Sequence, residues 1–411
     1  MFFFYKISIN FLFLLSPIIF IIRLIKGKED HLRFKEKLGF FSKKRNVGKL
    51  IWFHGASVGE IQSIIPLIEK FEKNKKINQI LITSNTKSSS YIIKKFKFKK
   101  TIHQFFPVDC NLISKKFINY WKPSRVFFID SEIWPNTLHN LYEINIPIIL
   151  LNGRITKKTF NRWIIFSKFA NTIFSKFSLC LSSSKESKNF LKRLGAKNVK
   201  LIGNLKYTQS ENEGMNLNKN LKKFIFSRNS WCASSTHHHE EEICGKAHLI
   251  LMKKYKNLLT IIIPRHIDRV SSIKNQLLKM NLTVHLDEPK KKISPNTDVY
   301  LVNSYGKTKS FYKLCKNVFL GGSLIKRGGQ NPLEAVRYGC NIIHGPNISN
   351  FKEIYEFLKK KNISNKVIDQ KDLASVLYKT IKKKNRSKKI IQNLQFVGED
   401  ILNKTYKEII K

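Results

Sequence analysis

Short apolar runs recur from residue 49 onward, each followed by a polar loop and then by a stretch with helical spacing. The runs are KLIWFH (49–54), INQILITS (77–84), SRVFFID (124–130), IPIILLN (146–152), FSLCLSS (177–183) and VKLIG (199–203). Strand-sized runs alternating with helical stretches predict parallel sheets with helices on both faces. The rhythm stops at TQSENEGMNLNKNLK (208–222), which reads as a linker. It resumes with SWCAS (230–234), LLTIIIP (258–264), TDVYLVN (297–303), NVFLGG (317–322), NIIHGP (341–346) and KVID (366–369). The expected fold is α/β, with two doubly wound, Rossmann-like domains at 28–207 and 223–411, the second ending in Lys-rich surface helices. No short repeat points to a solenoid.

Residues 1–27 follow a different pattern. FFFYKISINFLFLLSPIIFIIRLIKGK is apolar from Phe2 to Ile22 apart from Lys6, Ser8, Asn10 and Ser16, and Arg23, Lys26 and Lys28 come directly after it. About 20 apolar residues suffice to span a bilayer, and a basic flank keeps the chain beyond it in the cytoplasm. This segment is therefore expected to be an N-terminal membrane anchor. The alternative is a helix lying in the membrane interface, since Pro17 would kink a span. A cleaved signal peptide is disfavoured because no small-residue cleavage site follows.

A chain of 411 residues is long enough for two cores. Six cysteines without a C-x-x-C pair read as reduced thiols in a cytoplasmic setting, not as a disulfide framework or zinc site. The formal net charge of +48 suits an anionic partner. It is equally what a composition bias toward Lys and Asn produces, and no RNP, zinc-finger or basic-zipper pattern organises it toward nucleic acid.

The chemistry-bearing residues fall directly after the apolar runs, where open α/β sheets bind ligands. After the first run comes HGASVGE, in which Ser57 and Glu60 form S-x-x-E. That pattern is a capping box, but a carboxylate at a strand end beside Gly55 and Gly59 can also take a proton from a hydroxyl. Asn331-Pro332-Leu333-Glu334 has the same capping form. Glu132, in DSEIWPN, is a second strand-end carboxylate, with Asp130 the more natural helix cap. Lys206 in GNLKY and Arg265 in PRHIDR are surface cations by default, yet they follow Gly203 and Pro264 where a cation can meet a phosphate. In SSTHHHEEE, His237 and Glu241 have metal-ligand spacing, but Ser235 and Thr236 as cap and anion ligand are the simpler reading, and no metal is expected. Gly321 and Gly322, with Gly328 and Gly329, offer backbone N–H groups to a phosphate in GGSLIKRGGQNPLE. The pattern is neither a dinucleotide fingerprint nor a P-loop.

Taken together, FHGASVGE, SEIWPN, NGRIT, GNLKY, SSTHHHEE, PRHIDR, GGSLIKRGGQNPLEA and GPNISNFKEI resemble the 3-deoxy-D-manno-octulosonic acid (Kdo) transferases in order and approximate spacing, over residues of roughly 30 to 360. The resemblance implies a GT-B glycosyltransferase. It would carry Kdo from CMP-Kdo to the lipid A precursor (lipid IVA) in lipopolysaccharide synthesis, with inversion and without a metal or other cofactor. The setting would be the cytoplasmic face of the bacterial inner membrane. By the same resemblance Glu60 is the general base, and Glu132 and Lys206 stabilise the transition state. Pro264 and Arg265, Tyr305-Gly306-Lys307, and Asn331 to Glu334 hold CMP. Three positions depart from the family pattern: Lys307 stands where Glu is usual, Gln330 where His is frequent, and Gly153 where Ala is. The competing readings are a GT-B transferase using a UDP-sugar, and a non-catalytic basic protein that binds nucleic acid or membrane on the same fold.

Overall fold

The computed structural model describes residues 1–27, 29–209, 217–288, 291–382 and 387–411. The chain divides into two compact units, Met1–Ser210 with Val397–Lys411, and Glu211–Phe396. Of the linker expected at 208–222, residues 210–216 lie outside the described residues.

The first unit is built on a parallel sheet of β1 (Leu50–His54), β2 (Gln79–Ser84), β3 (Thr101–Phe105), β4 (Arg125–Ile129), β5 (Ile148–Gly153), β6 (Leu179–Ser182) and β7 (Val199–Leu201), in the order β3-β2-β1-β4-β5-β6-β7. Alternating side chains feed two cores. Trp52, Val126, Phe128 and Leu150 face one helical layer; Ile51, Phe53, Phe127 and Ile129 face the other. The order reverses between β1 and β4, so their carboxyl ends flank the crevice in which doubly wound sheets place ligands.

The second unit repeats the plan with β8 (Asn229–Thr236), β9 (Leu258–Pro264), β10 (Val284–Leu286), β11 (Val299–Leu301), β12 (Asn317–Leu320), β13 (Asn341–His344) and β14 (Ser364–Lys366). Its order is β10-β11-β9-β8-β12-β13-β14, with the reversal between β8 and β12. All six cysteines are buried and unbridged.

Two expectations need correction. The C-terminal residues do not all belong to the domain drawn at 223–411, because the helix Ser387–Ile410 ends on the first unit. There Ile401 and Ile409 enter the core with Ile61, Ile64 and Leu205, and Lys200 pairs with Glu408 at 2.5 Å. A sparse apolar stripe between lysines is enough to dock a helix.

Residues 1–27 form not one helix but two, α1 (Phe2–Leu14) and α2 (Ser16–Ile25), bent by 52°. Pro17 stands in the first turn of α2, where it lacks no hydrogen bond. Among the described residues no single helix is long and apolar enough to cross a membrane, although this pair passes that test jointly by length and composition. One side of α1 is seated on the first unit. Tyr5 Oη–H donates to Asp109 Oδ2 at 2.9 Å, and the Phe2 ring meets the His139 ring edge-on at 4.8 Å. The other side leaves Phe3, Phe4, Phe11 and Leu14 exposed, as is Ile18 of α2.

Candidate active site

Ser57, in extended backbone, caps α3 (Val58–Glu72), its hydroxyl accepting from Glu60 N–H at 3.4 Å. The Glu60 carboxylate turns back on the same turn. Its Oε2 accepts from Ala56 N–H and its Oε1 from the Ser57 hydroxyl, each at 2.7 Å. The capping reading therefore describes the resting geometry. It leaves each oxygen a second lone pair, and the neighbouring Gly59 borders open space, where a Cβ would meet nothing within 4 Å. Gly55 is a packing requirement instead, because a Cβ there would press on Glu60 and Ile61 at 3.2 Å. Burial, reinforced by the charges of Asp130 and Glu132, pushes the Glu60 carboxyl up to about 7, against the opposing hydrogen bonds from Ser57 and Ala56. A carboxyl poised there can hold and release a proton near neutral pH.

The partners of Glu60 come from the neighbouring strand ends. Glu132 follows β4 and accepts from Trp134 Nε1–H at 3.0 Å. Buried His54, the last residue of β1, brings its Nε2 within 3.3 Å of the same Glu132 oxygen. Lys206, in the short turn after β7, donates through Nζ to Asp130 Oδ2 at 3.2 Å. Asn152 Nδ2–H donates to the other Asp130 oxygen, while Asn152 Oδ1 accepts from Leu205 N–H at 2.9 Å. Asp130 and Asn152 both take left-handed backbone, with φ of 55° and 53°. Non-glycine residues held that way are costly and collect at functional sites. The structure thus gathers Glu60, Glu132 and Lys206 in the first unit, together with Asp130, which the sequence suggested only as a cap. Asp130 does not cap the following helix, Pro135–Glu143: its cap position is Trp134, and its first-turn N–H groups are taken by Asp109, whose oxygens accept from Asn136 N–H at 3.0 Å and Thr137 N–H at 2.8 Å.

The residues expected to hold a nucleotide lie in the second unit, at the carboxyl ends of β9, β11 and β12. Buried Pro264 ends β9, and the exposed Arg265 anchors its backbone N–H on Thr236 O at 3.0 Å. Tyr305 and Gly306 are exposed after β11. Asn331 Oδ1 accepts from Leu333 N–H at 3.1 Å; Pro332 and Leu333 are buried, while Glu334 is partly open and meets Lys309 Nζ at 3.7 Å. That ion pair ties the segment after β11 to the one after β12. A cavity of about 750 Å³ in this unit is lined by Phe224, His285, Asp287 and Tyr300, and Lys307 alone of the expected nucleotide residues reaches it.

The reading of the Gly321–Gly322 turn as a phosphate cradle is corrected. Gly321 N–H donates to Ser234 O at 2.9 Å, and the N–H groups that follow are taken by a protein carboxylate: Glu240 Oε2 accepts from Gly322 and His237 at 2.7 and 3.0 Å, and Oε1 from Leu324 and Ser323 at 3.0 and 3.1 Å. Gly321 is needed because a Cβ would lie 2.4 Å from Ser235 O. Ser235 and Thr236 do not cap the helix Glu240–Met252 either; its cap position is His239, with a φ of 74°. Glu241 is held by Arg269 through two bonds of 3.1 Å. Among the described residues no three His, Cys, Asp or Glu side chains gather as a metal site.

Two departures from the family pattern have local explanations. Lys307 Nζ lies 2.5 Å from Asp287 Oδ2, whose other oxygen accepts from Tyr300 Oη at 2.7 Å. A glutamate at 307 would face that buried carboxylate. At Gly153 a Cβ would come within 3.0–3.1 Å of Leu150 and Leu191, whose side chains already occupy the space.

Residues 32–209 match the family described as 3-Deoxy-D-manno-octulosonic-acid transferase (kdotransferase). A 3-deoxy-D-manno-octulosonic acid transferase of Rickettsia bellii is 31% identical over 372 residues, covering 89% of this chain and 88% of the relative. The chain belongs to the Kdo transferase family. The Haemophilus influenzae 3-deoxy-D-manno-octulosonic acid transferase is 30% identical, with 81% of this chain and 79% of the relative covered. A putative UDP-N-acetylglucosamine 2-epimerase of Listeria monocytogenes, 11% identical, shares the two-unit fold at a TM-score of 0.59 over 87% of this chain and 95% of its own. As a Kdo transferase this chain is a glycosyltransferase of lipopolysaccharide synthesis.

Proposed function

We propose that this Kdo transferase moves Kdo from CMP-Kdo to a hydroxyl of the lipid A precursor, with GT-B architecture and inversion at the anomeric carbon. The observation that carries the reading is Glu60: a carboxyl at the switch-point edge of the first sheet, pushed to about 7 by burial and by the neighbouring acids. In its ionised form Glu60 takes the acceptor proton as that oxygen bonds to the anomeric carbon and the bond to CMP breaks. The sugar then carries oxocarbenium-like positive charge, which the Glu132 carboxylate is there to stabilise, while Lys206 answers the anionic groups of the donor. Arg265, the 305–307 turn and the 331–334 turn hold the nucleotide in the second unit. By family resemblance the displacement needs no metal.

The same reading puts the protein at the cytoplasmic face of the inner membrane. The exposed Phe and Leu side of α1 and α2 would enter the interface, and the basic surface suits an anionic leaflet and a phosphorylated lipid. The experiment is release of CMP from CMP-Kdo on addition of lipid A precursor, with CMP and UDP as competitors. Release that depends on the acceptor and is blocked by CMP supports the reading. Competition by UDP alone would move the chain to a UDP-sugar reaction, and no release at all would leave it a binding protein.

A further inference from the structure

His54 is fully buried at the carboxyl end of β1, with its ring stacked 3.9 Å from that of Phe106. A lone histidine in an apolar strand is ordinarily core filling. Its surroundings give it a direction. Trp52 Nε1–H donates to Thr83 Oγ1 at 2.8 Å, and an indole N–H can only donate. The Thr83 hydroxyl proton then has two acceptors in reach, His54 Nδ1 at 2.9 Å and Phe53 O at 3.4 Å. Thr83 Oγ1 can also accept from Nδ1–H while donating to Phe53 O, so the tautomer is set at the other ring nitrogen. Nε2 stands 3.3 Å from Glu132 Oε2, a carboxylate oxygen can only accept, and the ring proton therefore sits on Nε2 with Nδ1 as acceptor. Burial pulls the imidazole below its ordinary pKa, which keeps this single-proton form at neutral pH.

Nε2–H is left facing Glu132. Among the described residues it has no aligned hydrogen-bond partner, and Glu132 Oε2 stands 3.3 Å away. A buried donor without a partner is costly, and a catalytic contact that is loose in the resting enzyme commonly tightens when substrate binds. We propose that His54 is a positioning residue: its Nε2–H, oriented by the Trp52–Thr83 chain, aims the Glu132 carboxylate at the reacting sugar. This rests on the role proposed for Glu132 in stabilising the sugar's positive charge.

The test is a mutant cycle on Kdo transfer by the full chain, with thermal melts on every variant. His54→Asn puts an amide where Nδ1 was, within reach of Thr83 but short of Glu132; His54→Gln extends an N–H toward Glu132. The expected result is a fall of roughly 10²-fold in kcat for His54→Asn and substantial recovery in His54→Gln. In a Glu132→Gln background, His54→Asn should bring no further loss, because the two act as one. Thr83→Val, which keeps His54 itself but removes the hydroxyl that holds its ring, should lower kcat with the same dependence on Glu132 and serves if His54→Asn unfolds. Equal losses in both backgrounds, or a wild-type rate in His54→Asn, would overturn the positioning role alone. A wild-type rate in Glu132→Gln would overturn the role of Glu132 as well.

Discussion

Replacing Glu60 by Gln removes the group on which the reaction is proposed to depend, and it should separate activity from stability. The carboxyl goes from an ordinary 4.5 to about 7 in the fold. Taken at face value that difference is roughly 3 kcal/mol, but Glu60 is only partly buried, and solvent screening reduces it to about 1–2 kcal/mol. The sign comes from linkage. The folded pKa lies above the unfolded one, so the favourable contribution of the protonated group is complete below about pH 4.5 and is lost as pH rises through about 7. Glu60→Gln cannot ionise and escapes that loss. At pH 8 it should be about 1–2 kcal/mol more stable than wild type, or about 2–8 °C in apparent Tm, with little difference at pH 4.5. Its transfer rate should be near background at every pH. Wild-type kcat/KM should show an acid limb centred near pH 7 and falling about tenfold per pH step below it. A limb centred near 4.5, or a Gln variant no more stable than wild type at pH 8, would refute the reasoning.

Asp130→Asn removes a negative charge near Glu60 and the partner of Lys206, so the acid limb should move to lower pH while kcat falls by roughly ten- to a hundredfold; a limb that stays in place would show that Asp130 does not act on Glu60. Lys307→Glu, which restores the usual family residue, should destabilise the second unit by about 3 kcal/mol or more in urea unfolding, and adding Asp287→Asn should recover most of it. Phe3→Ser, Phe4→Ser and Phe11→Ser together should abolish flotation with anionic vesicles, since each buried Phe contributes about 1.5–3 kcal/mol; unchanged flotation would place membrane attachment elsewhere.

The legible parts of the sequence were those under strong local constraint. Interior strands such as FFI and TIII are buried on both faces and read as continuous apolar runs, whereas β3 (TIHQF) and β10 (VHL) escaped notice. Both are edge strands with polar or short sequences, and β14, a third edge, begins two residues before the run KVID. The rule that ligands gather at strand ends singled out Glu60, Glu132 and Lys206 as candidates. It could not tell which loop groups serve each other. The glycine pair at 321–322 looked like a phosphate cradle because sequence shows the donors and not Glu240, 82 residues away, that fills them. Asp130 and His54 were passed over for a similar reason. The roles inferred for them rest on contacts with Lys206 and Glu132 that span 76 and 78 positions of chain. At Glu60, capping and chemistry need not exclude each other: its oxygens hold the first turn of α3, and the base role proposed for it requires the carboxylate to leave that turn for a substrate hydroxyl.

The most direct measurement is the mass of the lipid product after incubation of the full chain with CMP-Kdo and lipid A precursor. The account predicts an acceptor heavier by one or more Kdo residues with wild-type protein, and no such species with Glu60→Gln. An unmodified acceptor with wild-type protein, or an unchanged yield from Glu60→Gln, would contradict it.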